Sequence, residues 1–525
     1  MRDFHLPGRS PVLATEGMCA TSHPIAAKVA IDTLQRGGNA VDAAIAAAVL
    51  LGLLEPQMTG LGGDCFVLLK PAGTEDVVTL NGSGRAPRGA SAQSLRDRGL
   101  GTVPLDTADA VTLPGAVDAF CTLSESQGRL GLEDVLGPVI PYFETGVPVA
   151  PRVALDWAEA ADRLQGVARD VYLPWGRPPR PGEIFALPGQ AEVLRRIARE
   201  GRAALHEGEV AEDIVTSLRA LGGRHGLEDL AETRASWGDP VSGTYKGVEL
   251  VEHRPNGQGA TAILMANILA RFDLPSLDPL GAQRAHLEAE AAKLAYDARN
   301  RFLADPDHTD RLEHMLASET ADRLAALIDP RRAMAAAAPL AEAVHRDTVY
   351  VTVVDRDRMA VSLIYSIFHS FGSGLASDRF GILFQNRGAG FTLDHRHPNE
   401  YGPGKRPMHT IIPAMLKENG RVTMPFGVMG GAYQPNGHAR VLTNIVDYGM
   451  DAQDAIDAPR SFADGSTMMV ERGYAPSVRT DLRAMGHRVD VPDLPIGGAQ
   501  AIRIDPRGYL EGASDPRKDG CALGY

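Results

Sequence analysis

The chain has 525 residues, 44% hydrophobic and 23% charged, with a net charge of −13 and an isoelectric point near 5.6. That balance is ordinary for a globular protein with ample chain for a core, and it excludes disorder as the main state. It also argues against a general nucleic-acid binder, whose affinity comes from clustered lysine and arginine, so any anion-binding pocket must be made locally.

Cys19, Cys65, Cys121 and Cys521 lie far apart with no CxxC spacing, which indicates neither a zinc site nor a disulfide framework. A reduced compartment fits, and nothing calls for a metal or a cofactor. The N-terminal stretch MRDFHLPGRSPVLATEGM lacks the basic start and apolar core of a secretory signal. The longest apolar run, Ala43 to Leu54, has 12 residues, too few to cross a bilayer and suited to a buried helix. The expectation is a cytoplasmic protein without membrane or nucleic-acid partners.

In chain order, Ser22-His23-Pro24 opens a helix with Ile25, Val29 and Leu34 on one face, and Gly37-Gly38 ends it. Asn39 caps a second helix to about Leu54, apolar nearly all round and so expected between layers. The turn Gly60-Leu-Gly-Gly-Asp64 leads into a strand at Cys65–Leu69. It fits neither GxGxxG nor a Walker loop, and the helix-to-strand order reverses a dinucleotide turn, so nucleotide binding is rejected. A strand at Val77–Leu80 runs into a turn that exposes Arg85. Between about 110 and 330, helical segments such as Ala191–Ile197 and Ala282–Arg301 alternate with Pro/Gly breaks. Within them, the turn Glu252 to Gly259 precedes a helix and is placed near the site.

The stretch Asp347 to Asp355 organises the rest. Val, Thr and Tyr crowd the residues after Thr348, so a strand starts at or next to it, while Ala333 to Ala343 reads as a tether. A flexible peptide leading into a rigid strand suits a self-cleaving chain with Thr348 as its new N-terminus; the alternative is an ordinary loop entering an ordinary strand. Met359–Ser366 is a second strand, Phe371–Gly374 a tight turn, and Gly381–Asn386 a third strand. Arg387–Phe391, a Pro/His/Gly loop to Lys405, Arg406–Thr410, a strand-like Ile411-Ile412, and Phe426–Gly431 follow. One hairpin carries Thr348 and Ser366, so a hydroxyl can neighbour the nucleophile. Gly430 and Gly431 offer two backbone N–H groups without a Cβ, as an oxyanion hole requires. No GxSxG occurs, which disfavours a Ser-His-Asp hydrolase, and Asp394-His-Arg-His397 reads as a solvated loop rather than a metal site.

Assembled in this order, these blocks resemble the γ-glutamyltransferase family of N-terminal nucleophile (Ntn) hydrolases. The likeness rests on Gly17-Met18, Gly37-Gly-Asn-Ala-Val-Asp-Ala-Ala44, Gly60–Gly63, Thr348–Asp355, Phe371–Gly374, Arg406-Pro407, Gly430-Gly431, Gly512–Arg517 and Gly524-Tyr525. The resemblance implies an α+β four-layer αββα sandwich built jointly by a large subunit, 1–347, and a small subunit, 348–525, after Thr348 attacks the carbonyl before it. It implies that Ser366 hydrogen-bonds the Thr348 hydroxyl or amine. The freed α-amine of Thr348, with a reference pKa of about 7.7–8.0, then serves as general base for the hydroxyl of the same residue.

Departures from the family pattern bear on substrate. Glutathione-cleaving members hold the substrate's ammonium with an acidic residue where this chain has Gly390. Ser83 stands at the position of the family's carboxylate-binding arginine, with Arg85 two residues on, and His409 and Thr410 replace paired serines. The 391–405 loop is short for a lid. Arg387, His409, Thr410 and Arg85 then suggest a pocket for an acyl group bearing a carboxylate, as in the branch resembling oxamate amidohydrolase and the glutaryl-type cephalosporin acylases. For Arg387 a structural salt bridge is the competing reading. The alternatives are a γ-glutamyltransferase or glutathione hydrolase acting on γ-glutamyl amides, and a catalytically silent binding homologue.

Overall fold

A computed structural model describes residues 8–334 and 348–525; most of the Ala333–Ala343 tether therefore lies outside the described residues. Two seven-stranded antiparallel sheets form the centre. The first runs, edge to edge, Cys521–Gly524, Met18–Thr21, Val349–Val354, Ala360–Ser366, Asp64–Lys70, Val78–Gly82 and Ser236–Gly238. The second runs Val12–Ala14, Leu510–Ser514, Gly498–Ile504, Arg421–Met429, Ala414–Glu418, Val248–Glu252 and Val241–Tyr245. In both, strands from before and after Thr348 are interleaved, so each half of the chain lacks hydrogen-bond partners without the other.

Alternation along the strands separates the layers. Val349, Val351 and Val353 point outward into a core shared with the helix Ala40–Leu54. Tyr350 and Ile364 point inward with Phe66, against Ile411 and Met429. All 15 residues of the Ala40–Leu54 helix are buried, which explains its lack of a polar face. Its start is set by a capping box: the Asn39 side chain accepts from Asp42 N while Asp42 Oδ2 accepts from Asn39 N. Because this helix has no solvent side, truncating Leu50 or Leu51 to alanine leaves a cavity, at a cost of about 2–5 kcal/mol. The helices Pro24–Gln35 and Ala40–Leu54 pack on the first sheet's side, and Gly259–Leu269, Ala282–Phe302 and Gln434–Val446 pack on the second's. Four layers result: helix, sheet, sheet, helix.

Most expected elements appear: the Ala282–Phe302 helix ends within a residue of its expected bound, and the Ala191–Ile197 segment lies inside a longer helix, Pro188–Glu200. Two do not. Gly381–Asn386 is not a strand: Gly381 has φ +63°, and the backbone is held by the 373–377 loop, with Phe384 N donating to Leu375 O and Ser377 N to Ile382 O. Ile411-Ile412 is also irregular, because Ile412 N donates to the Gln434 side chain, and the strand begins at Ala414. A small sheet of Ser461–Asp464, Thr467–Val470 and Arg488–Asp490 lies outside the sandwich and was not anticipated. Among the described residues no helix is long and apolar enough to cross a membrane, and all four cysteines are free.

Candidate active site

Strand register assembles the site. Val349 pairs with Tyr365, and Ser366 with Asp64; Cys65 pairs with Gly82. Extending the outer pairings by one residue puts Thr348, Ser366, Asp64 and Ser83 in one row across four strands. Side chains at this parity face the space between the two sheets, as Tyr350, Ile364 and Phe66 do. The row therefore lies at the end of the inter-sheet layer, and Thr348 itself is buried.

Around this row the loops supply charge. Ser366 Oγ accepts from Phe368 N at 2.8 Å and from Arg387 Nη2 at 3.3 Å. Arg387 also donates through Nη1 to Thr410 Oγ1 at 3.1 Å, and its guanidinium lies over the Phe368 ring, 4.2 Å from the centroid. Arg387 is completely buried, on a short 3₁₀ turn, Arg387–Gly390. The structure thus brings Ser366, Arg387 and Thr410 together beside the Thr348 strand.

Gly390, at the end of that turn, has no room for a side chain: a Cβ there would sit 2.9 Å from Met408 O. Asn399 of the 391–405 loop accounts for the closeness. Its Nδ2 donates to Gly390 O at 2.6 Å and its Oδ1 accepts from Met408 N at 3.0 Å, clamping the two backbones. The short loop is a brace for the Arg387 turn.

Asp64 is the residue that sequence reasoning passed over. It is fully buried, and its Oδ1 accepts from Gly84 N at 2.9 Å, Gly115 N at 3.3 Å and Gln385 Nε2 at 2.9 Å. Its Oδ2 stands 3.2 Å from His409 Nε2, out of line for a regular hydrogen bond. The signal was an acid directly after Gly62-Gly63 at the first position of a buried strand, where a carboxylate is tolerated only if turn amides converge on it. Burial, with the Arg387 charge adding to it, pushes the His409 imidazole down to about 3, so it is neutral. His409 Nδ1 and Gln385 Oε1 are among the buried polar atoms here that have no hydrogen-bond partner among the described residues.

Gly430 and Gly431 leave the strand Arg421–Met429 with φ of +121° and +55°, left-handed conformations that favour glycine. Gln258 ties this turn to the rest: its Nε2 donates to Thr410 O at 2.6 Å and Gly431 O at 3.0 Å, while its Oε1 accepts from Arg299 Nη1 at 2.8 Å. The Glu252–Gly259 turn therefore does close on the site.

Arg85 stands apart from Arg387, in a cavity that it shares with Ser83. Its side chain is 40% exposed and pairs with Asp305 at 3.3 Å and with Gly404 O at 2.8 Å. With Arg234, Arg406 and Asp307 it lines a cavity of about 550 Å³ whose inner wall is Ser83 and Leu113. That cavity reaches the row at Ser83; Thr348, Ser366 and Arg387 are not among its walls. His397 of the His-rich loop donates through Nε2 to Asn300 O, and His395 is exposed, so neither draws on the other for a metal.

Two stacked antiparallel sheets between helical layers define the chain as an Ntn hydrolase. The sequence model described as gamma-glutamyltranspeptidase matches residues 26–525, and the chain belongs to that family. It is similar to the glutathione hydrolase-like YwrD proenzyme of Bacillus subtilis, with 36% identity over 98% of this chain and 99% of that one. It is also similar to the oxamate amidohydrolase proenzyme of Klebsiella pneumoniae, with 34% identity over 98% and 99%. Among solved structures, a cephalosporin acylase from Bacillus halodurans superposes with a TM-score of 0.93 at 36% identity, covering 100% of this chain and 99% of that one. The chain is accordingly an enzyme of the amidohydrolase and acyltransferase type.

Proposed function

We propose that the chain is a proenzyme that cleaves itself before Thr348 and then hydrolyses a small carboxylate-bearing amide, such as oxamate or a dicarboxylic monoamide. In maturation the Thr348 hydroxyl attacks the carbonyl of residue 347, the acyl group passes from nitrogen to oxygen, and water hydrolyses the ester. A new carboxylate and a free α-amine result, dividing the chain into 1–347 and 348–525. In turnover the amine takes the hydroxyl proton as Oγ attacks the substrate carbonyl, and the proton leaves with the departing amine. Gly430 and Gly431 N–H groups take the oxyanion, and Ser366, fixed as acceptor by Phe368 N and Arg387, directs its O–H at Thr348. Water then releases the acyl group. The free cysteines fit a cytoplasmic location.

The observation that carries the substrate class is Arg387, a buried guanidinium bonded to the hydroxyls of Ser366 and Thr410. Beside it Gly390 offers no acid for an ammonium and cannot be given one without displacing Met408 O. His409 Nδ1, neutral and unpartnered, is a further polar contact for such an acyl group. Arg85, ion-paired across the cavity, is assigned to the entry side. The relative named glutathione hydrolase-like favours γ-glutamyl amides as the second reading. Rates on oxamate, glutaryl amides and γ-glutamyl anilide separate the two: activity confined to the γ-glutamyl compound would overturn the carboxylate-amide proposal.

A further inference from the structure

Away from the Thr348 row, the helix Ala282–Phe302 carries His286 and Glu290 one turn apart, hence on one face. His487, from the segment between the helix Pro476–Ala484 and the strand Arg488–Asp490, meets them there. One ligand atom from each of the three lies within 4.8 Å of the others, and all three residues are buried, at 0%, 0% and 7% exposure. Two imidazoles and a carboxylate converging in the interior are unusual without a shared task, since each alone costs desolvation.

The tautomers are legible. His286 Nε2 lies 2.8 Å from Asp329 O, and a carbonyl only accepts, so Nε2 carries a proton and Nδ1 is the nitrogen whose lone pair can ligate. That lone pair faces His487 Nε2 at 2.7 Å. A backbone carbonyl fixing the far nitrogen of an imidazole is the support that metal-ligating histidines use. Glu290 is oriented as well: Oε1 accepts from Lys293 Nζ at 2.6 Å and Oε2 from Met334 N at 2.8 Å, and each oxygen keeps a further lone pair.

We propose that His286 Nδ1, His487 Nε2 and a Glu290 carboxylate oxygen bind one divalent transition-metal ion of the zinc class. Two nitrogens and one oxygen select zinc, cobalt or nickel over magnesium and calcium, which take oxygen ligands. Metal–nitrogen bonds of about 2.0–2.1 Å in tetrahedral geometry hold the two nitrogens roughly 3.4 Å apart, so the rings part slightly and the ion replaces their shared proton. The His487 proton then resides on its Nδ1. Lys293, already 3.0 Å from Met334 O, keeps its charge on the distal carboxylate oxygen and that carbonyl.

The ion would act as a staple. Asp329 and Met334 contact the histidine and the glutamate directly, and Ala333 N donates to Met485 O at 2.8 Å, two residues from His487. The site joins the end of the 282–334 segment to the 485–487 turn, pieces of chain on opposite sides of Thr348. Its effect is on stability and assembly, with the chemistry at Thr348 untouched.

The test is a cobalt titration of the full-length protein after treatment with a chelator. Wild type should bind one equivalent, show the visible d–d absorption of a four-coordinate cobalt site, and melt at a higher temperature with cobalt or zinc than without. His487→Ala and Glu290→Gln should weaken binding by on the order of 100-fold and lose the absorption and the shift, while their circular dichroism stays native. His487 is the least enclosed of the three, which makes His487→Ala the variant safest for folding. Absence of cobalt absorption and of any melting shift in wild type, or equal binding by both variants, would overturn the proposal.

Discussion

Asp64 and His409 face each other at 3.2 Å with neither side chain reached by solvent, one at the start of a strand and the other in the loop before the next sheet's strand. The carboxylate also collects Gly84 N, Gly115 N and Gln385 Nε2 on its other oxygen. Asp64→Ala would leave Gly84 N without its acceptor, while Gly115 N keeps Gly63 O and Gln385 Nε2 keeps Leu113 O, and should destabilise the protein by about 1–3 kcal/mol. Asp64→Asn, which keeps one acceptor oxygen, should cost less. Chemical denaturation of both variants measures this, and an alanine variant as stable as wild type would remove Asp64 from the framework of the site.

The neutral state of His409 has a pH signature. Its folded value is pushed down to about 3 while the unfolded chain titrates at 6.5, so between those values the unfolded state binds more protons. Stability should therefore rise with pH through that window, by up to about 1.4 kcal/mol per pH unit from this group, and level off above it. His409→Gln should flatten that slope. If wild type and variant show parallel stability from pH 4 to pH 6.5, at ordinary buffer strength, the imidazole is not buried neutral.

Maturation is checked on a denaturing gel. The 55.9 kDa chain should separate into bands of about 37 and 19 kDa, in proportion to 347 and 178 residues. Thr348→Ala should run as one band, with no turnover. A fully active wild type that stays intact would sink the Thr348 assignment.

For Arg387 the comparison is between an anionic amide and its neutral methyl ester. Arg387→Ala should lower kcat/KM on the anionic substrate by about 2–5 kcal/mol in transition-state terms and on the ester by clearly less, the latter from the lost Arg387 contact to Ser366. Arg387→Lys should rescue little, because an ammonium is a point charge where two hydroxyls are addressed by a planar fork. Both variants are first checked for self-cleavage. Equal losses on both substrates would make Arg387 a structural residue.

Gly390→Asp is the reverse experiment. If an acid there were sufficient for ammonium recognition, the variant should gain γ-glutamyl activity. The 2.9 Å approach of a Cβ to Met408 O predicts instead a lower melting temperature, by an amount equivalent to about 1–3 kcal/mol, and no such gain. A stable variant with new γ-glutamyl activity would refute the steric account.

Much of the layered architecture was legible because its signals are local. The Ala40–Leu54 helix betrays its place between layers by having no polar face, and the Val349–Val354 strand declares itself by its run of β-branched residues and tyrosine. The Gly430-Gly431 pair was visible as two adjacent residues without a Cβ, though its left-handed backbone was seen only in the structure. What sequence could not reach depends on register and on contacts made at long range. Gly381–Asn386 has strand composition, yet its hydrogen bonds are taken by the 373–377 loop. Sequence could not show that Arg85 would stand beside Asp305, 220 residues away. Asp64 gains its importance from amides at positions 84 and 115 and a side chain at 385, and His286 meets His487 across 201 residues. Residue type and spacing determine which elements form; which buried polar groups meet is decided only when strand register and loop packing bring distant segments within hydrogen-bond reach, because desolvation penalises every such group that arrives without a partner.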